Sequence, residues 1–142
     1  MVIVAAVDRS DRADVVIQEA KVLAEAFDDT IHVVHVIAKS EFNDIAMTMA
    51  KEKKEMDVES VRNAASNIAE EAAKSLDGSF GTVGLSGNPA EEVVNYAHEQ
   101  DAQYIVVAGR KRSAAGKALF GSVAQSILMN AECPVVMSTE PS

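Results

Sequence analysis

Glycine and positive charge coincide in one stretch of the sequence, residues 109–122, in a way that suits a phosphate group. The stretch follows the apolar run Tyr104–Ala108 and ends where a helical pattern begins. Glycine lets backbone N–H groups approach phosphate oxygens closely, and the start of a helix favours negative charge. We therefore predict an anion site, most simply for a nucleotide, in a loop with these glycine, basic and hydroxyl residues: Gly109, Arg110, Lys111, Arg112, Gly116, Lys117, Gly121 and Ser122.

A carboxylate stands at the end of the first predicted strand. Asp8 directly follows the apolar run Val2–Val7, and we predict that Ala6, Val7 and Asp8 all belong to the binding site. In open α/β sheets, ligands bind beyond the carboxyl ends of the strands, where the strand order reverses. If the first and fourth strands are neighbours, Asp8 faces the glycine loop across one crevice and can accept hydrogen bonds from two ribose hydroxyls. The alternatives are that Asp8 only caps the first helix and that Gly121 and Ser122 only begin the last one.

Two common phosphate-binding motifs are absent from the chain. The Walker A pattern requires four residues between its glycines and a Ser or Thr after its Lys, whereas six residues separate Gly109 from Gly116 and Ala118 follows Lys117. The dinucleotide fingerprint requires glycines after the first strand, and residues 6–11 contain none. A P-loop NTPase and a Rossmann dehydrogenase are therefore not indicated.

The sequence contains no recognisable arrangement of the residues that form common catalytic sites. His32 and His35 are three apart on a predicted strand and so point to opposite faces, which prevents a simple metal pair. His98, the third histidine, is expected on a helix surface. We predict no catalytic residues, no metal held by side chains alone and no efficient enzyme. Slow hydrolysis of a bound nucleotide, or transfer of its phosphate to Ser122, stays an alternative.

Strand-like and helix-like segments alternate along the chain, which predicts one α/β domain over residues 1–142. Each crossover contains a helix, so we expect a mainly parallel open sheet with helices on both faces. Gly81 and Gly84 interrupt the third strand, which we place at an edge, and residues 38–50 lack a clear period and an assigned role. The five predicted strands are Val2–Val7, Ile31–Ile37, Phe80–Leu85, Tyr104–Ala108 and Pro134–Met137.

Caps and apolar stripes predict where the helices lie. Ser10 or Asp11 would cap the first helix, and Asn88 would cap the third with Pro89 in its first turn. The second helix would open at 51–54 as a polar helix. The predicted buried stripes are Val16, Ala20, Leu23 and Phe27 in the first helix, and Val58, Val61, Ala65, Ile68, Ala72 and Leu76 in the second.

Composition excludes several classes of protein. A formal net charge of −9 argues against general binding of nucleic acid, which needs clustered positive charge. Cys133 is the one cysteine, so no disulfide forms within the chain, and we expect it to be a buried small side chain. No apolar run approaches the roughly 20 residues of a membrane span. We therefore expect a cytoplasmic protein without a membrane segment.

Taken together, these motifs resemble the universal stress protein family over essentially the whole chain. The resemblance lies in Asp8 after the first strand, His35-Val36 at the end of the second, Gly87-Asn-Pro89, the Gly109…Gly121-Ser122 loop and Cys133-Pro-Val-Val. It implies a five-stranded parallel sheet in the order 3-2-1-4-5, with a Rossmann-like fold similar to that of adenine nucleotide alpha hydrolases. It also implies a homodimer joined through the last strand, residues 134–138, and an unknown protein partner.

Some members of that family bind ATP, and the resemblance implies roles for particular residues. Asp8 would contact the ribose, and the backbone of Val36 would contact the adenine. Gly121, Ser122 and Val123 would hold the phosphates together with the loop, with Mg²⁺ or Mn²⁺ bound through the phosphates. The chain would then be an ATP-binding regulatory module of the stress response.

The loop departs from the ATP-binding signature of the family, which is Gly, two residues, Gly, nine residues, Gly and then Ser or Thr. Arg112 stands where the second glycine belongs, and eleven residues rather than twelve separate Gly109 from Gly121. One outcome is that basic side chains replace backbone contacts, since Arg can bind phosphate with two donors. The alternative is a scaffold that binds proteins without nucleotide, with the basic residues in a solvated loop or a dimer contact.

Overall fold

A computed structural model describes residues 1–8, 12–38, 43–44, 46–47, 50–51, 58–111, 118–119 and 121–139. The strands are β1 (Val2–Ala6), β2 (Thr30–Ile37), β3 (Phe80–Ser86), β4 (Tyr104–Lys111), β5 (Ala118–Leu119) and β6 (Val135–Thr139). The helices are α1 (Ala13–Phe27), α2 (Val58–Ala73), α3 (Pro89–Glu99) and α4 (Ser122–Asn130). None of these described helices is long and apolar enough to cross a membrane.

Five parallel strands form the sheet in the order β3-β2-β1-β4-β6. This confirms the predicted order 3-2-1-4-5, since β6 is the predicted fifth strand. The two-residue β5 is the sixth strand of the sheet and was not predicted. It pairs antiparallel with the far end of β4, where Arg110 lies opposite Leu119. The order of connection reverses between β1 and β4, so a crevice is expected beyond their carboxyl ends.

Helices cover both faces of this sheet. Successive side chains of a strand point to opposite faces, so β1 contributes Ile3 and Ala5 to one side and Val4 to the other. The first side packs against α1 and α2, and the second packs against α3 and α4. The near-continuous burial of β1 and β2 explains why their sequences are apolar without alternation.

β3 lies at the edge of the sheet, as predicted, but its glycine at 84 has a more specific cause. A Cβ on Gly84 would lie 2.3 Å from the carbonyl oxygen of Arg62 and 2.3 Å from the amide nitrogen of Ser66. Both atoms belong to the backbone of α2, which cannot swing aside as a side chain can. Gly84 therefore allows α2 to pack directly on the edge strand.

The buried face of α1 is rotated from the predicted stripe. Its buried residues are Ala13, Val16, Ile17, Ala20 and Ala24. The predicted Leu23 is half-buried, and Phe27 is 45% exposed. Small alanines thus form most of the contact, which brings the helix close to the sheet. The residue at the N-cap is Arg12, and Asp28 ends the helix in the left-handed region at a φ of 56°. The predicted caps Ser10 and Asp11 lie outside the described residues.

The second and third helices agree more closely with the sequence. In α2, the buried positions include Val61, Ala65 and Ala69, whereas the predicted Ile68 is only half-buried. Residues 52–57 lie outside the described residues, so the predicted start at 51–54 is not described in full. In α3, the Asn88 side chain accepts a hydrogen bond from the Glu91 amide at 3.1 Å, which confirms the predicted cap. In the segment 38–50, the residues 43–44, 46–47 and 50 are helical.

Candidate functional site

A cavity of about 530 Å³ opens beyond the carboxyl ends of β1, β2 and β4. It lies where the strand order reverses, which is the position that open α/β sheets use for ligands. Its walls are mainly apolar, with a few polar groups, as is typical of small-molecule sites. The residues that line it include Ala6, Val7, Asp8, Arg12, Ala13, His35, Val36, Ala38, Pro89, Val93, Ala108, Gly121, Ser122, Val123 and Ala124.

Seven of the thirteen residues predicted for the site line this one cavity, and Lys117 is one of those outside the described residues. They come from three separate segments, the ends of β1 and β2 and the start of α4, which only the parallel sheet brings together. The seven are Ala6, Val7, Asp8, Val36, Gly121, Ser122 and Val123. Arg110 and Lys111 belong to the far end of β4, where their backbones pair with β5, and their side chains are not described. Arg112 and Gly116 lie outside the described residues.

Asp8 directly follows β1 and carries the acidic group of the cavity. Its side chain is 54% exposed, and its Oδ2 atom lies 3.6 Å from Nη2 of Arg12. Arg12 lines the same cavity from the start of α1, and its side chain is 25% exposed. An anion and a cation therefore stand side by side at this end of the cavity. The sequence analysis missed Arg12, which lies four residues after Asp8 in the chain and directly before α1.

His35 is a buried polar residue of the cavity wall, at 2% exposure. Its Nδ1 atom lies 2.8 Å from the carbonyl oxygen of Val7. Because a carbonyl only accepts hydrogen bonds, the ring nitrogen Nδ1 must carry a hydrogen and donate it. The Val7 amide in turn donates to the carbonyl of Val34 at 2.9 Å. Both backbone groups of Val7 are thus held by β2, which fixes the chain just before Asp8.

The start of α4 faces the cavity with backbone groups rather than side-chain caps. Gly121 is the N-cap residue, in extended conformation, and no side chain caps the helix there. The first N–H groups of a helix lack partners within the helix and carry partial positive charge. Among the described residues other than its chain neighbours, none has an atom within 4 Å of a Cβ built on Gly121. The cavity therefore reaches this helix start without obstruction, as an anion-binding site requires.

Gly109 lies elsewhere, although the sequence grouped it with Gly121. It is paired in register with Thr139 of β6, and a Cβ at this position would lie 2.7 Å from Sδ of Met137 and 3.2 Å from Cγ2 of Thr139. Gly109 is not among the residues that line the cavity. The close contact of β4 with the side chains of β6 is therefore a sufficient reason for glycine at this position.

The remaining histidines and the cysteine lie away from the cavity lining. Nδ1 of His32 and the hydroxyl of Tyr96 are joined by a hydrogen bond of 2.7 Å, and burial lowers the pKa of His32 and raises the pKa of Tyr96. His98 is exposed and pairs with Glu132 at 2.6 Å. Burial also raises the pKa of the Cys133 thiol, which disfavours the reactive thiolate. Within the part of the chain that is described, no three His, Cys, Asp or Glu residues form a metal site.

Comparison with known proteins agrees with this arrangement. The sequence profile of the universal stress protein family matches residues 1–138. The chain belongs to the universal stress protein family. It is 27% identical to universal stress protein MJ0531 of Methanocaldococcus jannaschii, over 93% of this chain and 79% of that protein.

Two solved structures of universal stress proteins from Archaeoglobus fulgidus share the fold. One is 32% identical, covers 97% of this chain and 98% of its own, and superposes with a TM-score of 0.67. The other, solved in complex with dAMP, is 27% identical, covers 97% of both chains and superposes with a TM-score of 0.62. The family and the Rossmann-like parallel sheet predicted from the sequence are thus confirmed.

Proposed function

We propose that this universal stress protein is a cytoplasmic regulatory module that binds an adenine nucleotide, ATP, in the cavity between β1 and β4. The observation that carries this proposal is the lining of one cavity by a carboxylate and a helix start that lacks a side-chain cap. Asp8 suits ribose hydroxyls, and the start of α4 suits phosphate. A related structure contains dAMP, which supports an adenine nucleotide as the ligand class.

Each part of the nucleotide has a matching region of the cavity. The apolar wall formed by Val36, Ala38, Pro89 and Val93 suits the flat adenine ring, and the backbone of Val36 would supply its polar contacts. The first amides of α4 would bind the phosphate nearest the ribose, with the Ser122 hydroxyl beside them. The more distant phosphates of ATP would extend toward the basic loop of residues 110–117, which we propose replaces the missing glycine with side-chain charge.

A divalent metal fits this arrangement only if the phosphates of the nucleotide supply some of its ligands. The described residues contain no ready-made cluster of ligands, but Mg²⁺ usually binds through one or two carboxylates and the phosphates of the substrate. When bound, the metal would neutralise phosphate charge. Among the described residues that line the cavity, Asp8 and Ser122 have side-chain oxygens that could help to hold the metal.

We also propose that the protein acts as a homodimer through β6. This strand pairs with β4 on one side, and the residues Val135–Thr139 are all only half-buried in the single chain. An edge strand presents backbone groups that can pair with another chain. Light scattering after gel filtration should give twice the monomer mass of 15.1 kDa, and a single-chain mass would refute the dimer.

Efficient catalysis is not part of the proposal. We base this on two positions in the cavity: Nδ1 of His35 already donates to the carbonyl of Val7, and Ser122 lies at the start of α4. We expect ATP turnover by the purified protein to stay at the background rate. A rate that falls to background in Ser122→Ala would instead support the alternative of slow hydrolysis or autophosphorylation.

Titration calorimetry with ATP and Mg²⁺ tests the proposal, after a check for nucleotide released on denaturation. We expect micromolar binding or a stoichiometric amount of adenine nucleotide in the preparation. Asp8→Ala should weaken binding, whereas Asp14→Ala, which removes an exposed carboxylate from the first turn of α1, should not. The absence of both binding at millimolar ATP and released nucleotide would favour the scaffold that binds proteins without nucleotide.

A further inference from the structure

The carboxylate that we assign to the ribose does not stand alone in the cavity. Asp8 and Arg12 both line it, and their charged groups are 3.6 Å apart. With side chains 54% and 25% exposed, the pair remains in contact with solvent. Ion pairs of this kind contribute little to folding, so a ligand can rearrange them at low cost. A ligand in the cavity can therefore compete for both charged groups.

Arg12 has a fixed backbone at the start of a helix. Its carbonyl accepts a hydrogen bond from the amide of Val16 at 3.3 Å, and it occupies the N-cap position of α1. The side chain is long and flexible, but its origin is anchored beside the cavity. The positive end of the α1 dipole adds to the guanidinium charge at this position.

A carboxylate and a guanidinium favour different substituents on a ribose. A carboxylate accepts hydrogen bonds from hydroxyl groups and repels a phosphate, whereas a guanidinium can bind a phosphate with two parallel donors. In dinucleotide-binding sites, an acidic residue contacts the ribose hydroxyl, and a nearby arginine accommodates a phosphate at the same carbon. This chain carries both groups at one end of the cavity.

We propose that Arg12 is a specificity-determining residue, through which the cavity takes adenine nucleotides with a second phosphate on the ribose 2′ or 3′ oxygen. This inference rests on the proposed function, because it needs Asp8 at the ribose and the 5′-phosphate at α4. In such a complex, Arg12 moves from Asp8 to the ribose phosphate and screens it from the Asp8 carboxylate. With an unmodified ribose, Asp8 accepts the hydroxyls and Arg12 remains beside it.

Calorimetric titration with AMP, adenosine 3′,5′-bisphosphate and adenosine 2′,5′-bisphosphate tests the assignment. We expect the whole protein to bind at least one bisphosphate no more weakly than AMP, and the preferred isomer identifies the ribose position. Arg12→Ala should weaken that bisphosphate by about tenfold or more, the scale of one lost charge-assisted contact, with AMP affinity within about threefold. Asp8→Ala should do the reverse and weaken AMP more than the bisphosphate.

Control variants separate this role from general effects of charge and folding. Arg62→Ala removes an exposed arginine of α2 outside the cavity and should change neither affinity. Arg12→Lys keeps the charge without the two-donor geometry and should give an intermediate loss for the bisphosphate. Thermal unfolding of each variant should match the parent protein, because the ion pair contributes little to stability.

Three results would overturn the assignment. If AMP binds but both bisphosphates bind at least tenfold more weakly, Arg12 does not accommodate a ribose phosphate. If Arg12→Ala weakens AMP and the bisphosphates equally, Arg12 serves the 5′-phosphate or the fold instead. In both cases the binding of AMP leaves the proposed function intact. If none of the three nucleotides binds, the proposed function fails together with this inference.

Discussion

Gly109 and Gly121 belong to the stretch that the sequence predicted as one loop, but they are glycines for different physical reasons. A Cβ on Gly109 would contact Met137 and Thr139 of the neighbouring strand, whereas a Cβ on Gly121 would lie more than 4 Å from the described residues other than its chain neighbours. Glycine suits position 109 because the neighbouring side chains leave little room for a Cβ. The second glycine, Gly121, leaves room next to a helix start, which is where a ligand would bind. The contact between β4 and β6 and the cavity are therefore separate regions that should respond differently to substitution.

The largest expected effect is on ligand binding at the second glycine. Gly121→Val should lower ATP affinity by about 100-fold, or about 2.7 kcal/mol, because its side chain occupies the approach to the α4 amides. Its φ of −65° suits any residue, so the loss of unfolding free energy should stay below about 1 kcal/mol. Calorimetry and urea unfolding check the two values. Unchanged affinity would show that the phosphates do not bind at this helix start.

Substitution of the first glycine should have its main effect on stability. Gly109→Ala should lower the free energy of unfolding by about 2 kcal/mol, as expected for an overpacked contact. The flexible Met137 side chain limits the cost, so adding Met137→Ala should reduce the effect of Gly109→Ala. Urea unfolding of the two single variants and the double variant measures this coupling. Strictly additive losses would contradict a contact between residues 109 and 137.

A smaller effect is expected at the other end of the cavity. Asp8→Ala should weaken ATP by about tenfold, the scale of one charge-assisted hydrogen-bond interaction, while the affinity for inorganic phosphate stays nearly the same. This contrast follows because Asp8 is assigned to the ribose and α4 to the phosphate. Competition experiments with phosphate and ATP give both affinities. An equal loss for the two ligands would show that Asp8 does not act through the ribose.

The smallest effect is expected for Gly121→Ala, and it is compared with that of Gly109→Ala. Gly121→Ala adds one methyl group in open space, so it should leave unfolding unchanged within about 0.5 kcal/mol and weaken ATP by roughly threefold. Gly109→Ala should give the opposite pattern, with a clear loss of stability and little change in affinity. If both alanine variants lose the same property, the division into two regions is wrong.

Local and topological features of the sequence predicted most of the fold. Apolar runs located the five parallel strands, and the Asn88 cap was placed correctly. The alternation of strands and helices predicted a parallel sheet, and the family resemblance predicted the order of its strands. The rotation of the buried face of α1 was not predicted, because the sequence analysis gave the large apolar Phe27 more weight than the small alanines. Close packing of a helix favours small residues, and this depends on the neighbouring surface.

The candidate site was predicted less completely than the fold, because some of its contacts join residues that are distant in the sequence. Asp8 follows β1, Val36 lies near the end of β2 and Gly121 precedes α4, so topology alone brings them to one cavity. The close approach of Met137 to Gly109 and the bond from His35 to Val7 join residues 28 apart in the sequence. Such contacts depend on strand register and side-chain direction, which a sequence pattern does not encode.

The most direct test follows backbone amides of ¹⁵N-labelled protein during titration with ATP and Mg²⁺. We predict saturable chemical-shift changes that are largest at Ser122 and Val123 and also clear at Asp8 and Val36. Gly78, in the turn after α2 and outside the cavity lining, should change little. Shifts confined to residues outside the cavity, or no saturable shift at millimolar ATP, would contradict a nucleotide site between β1 and β4.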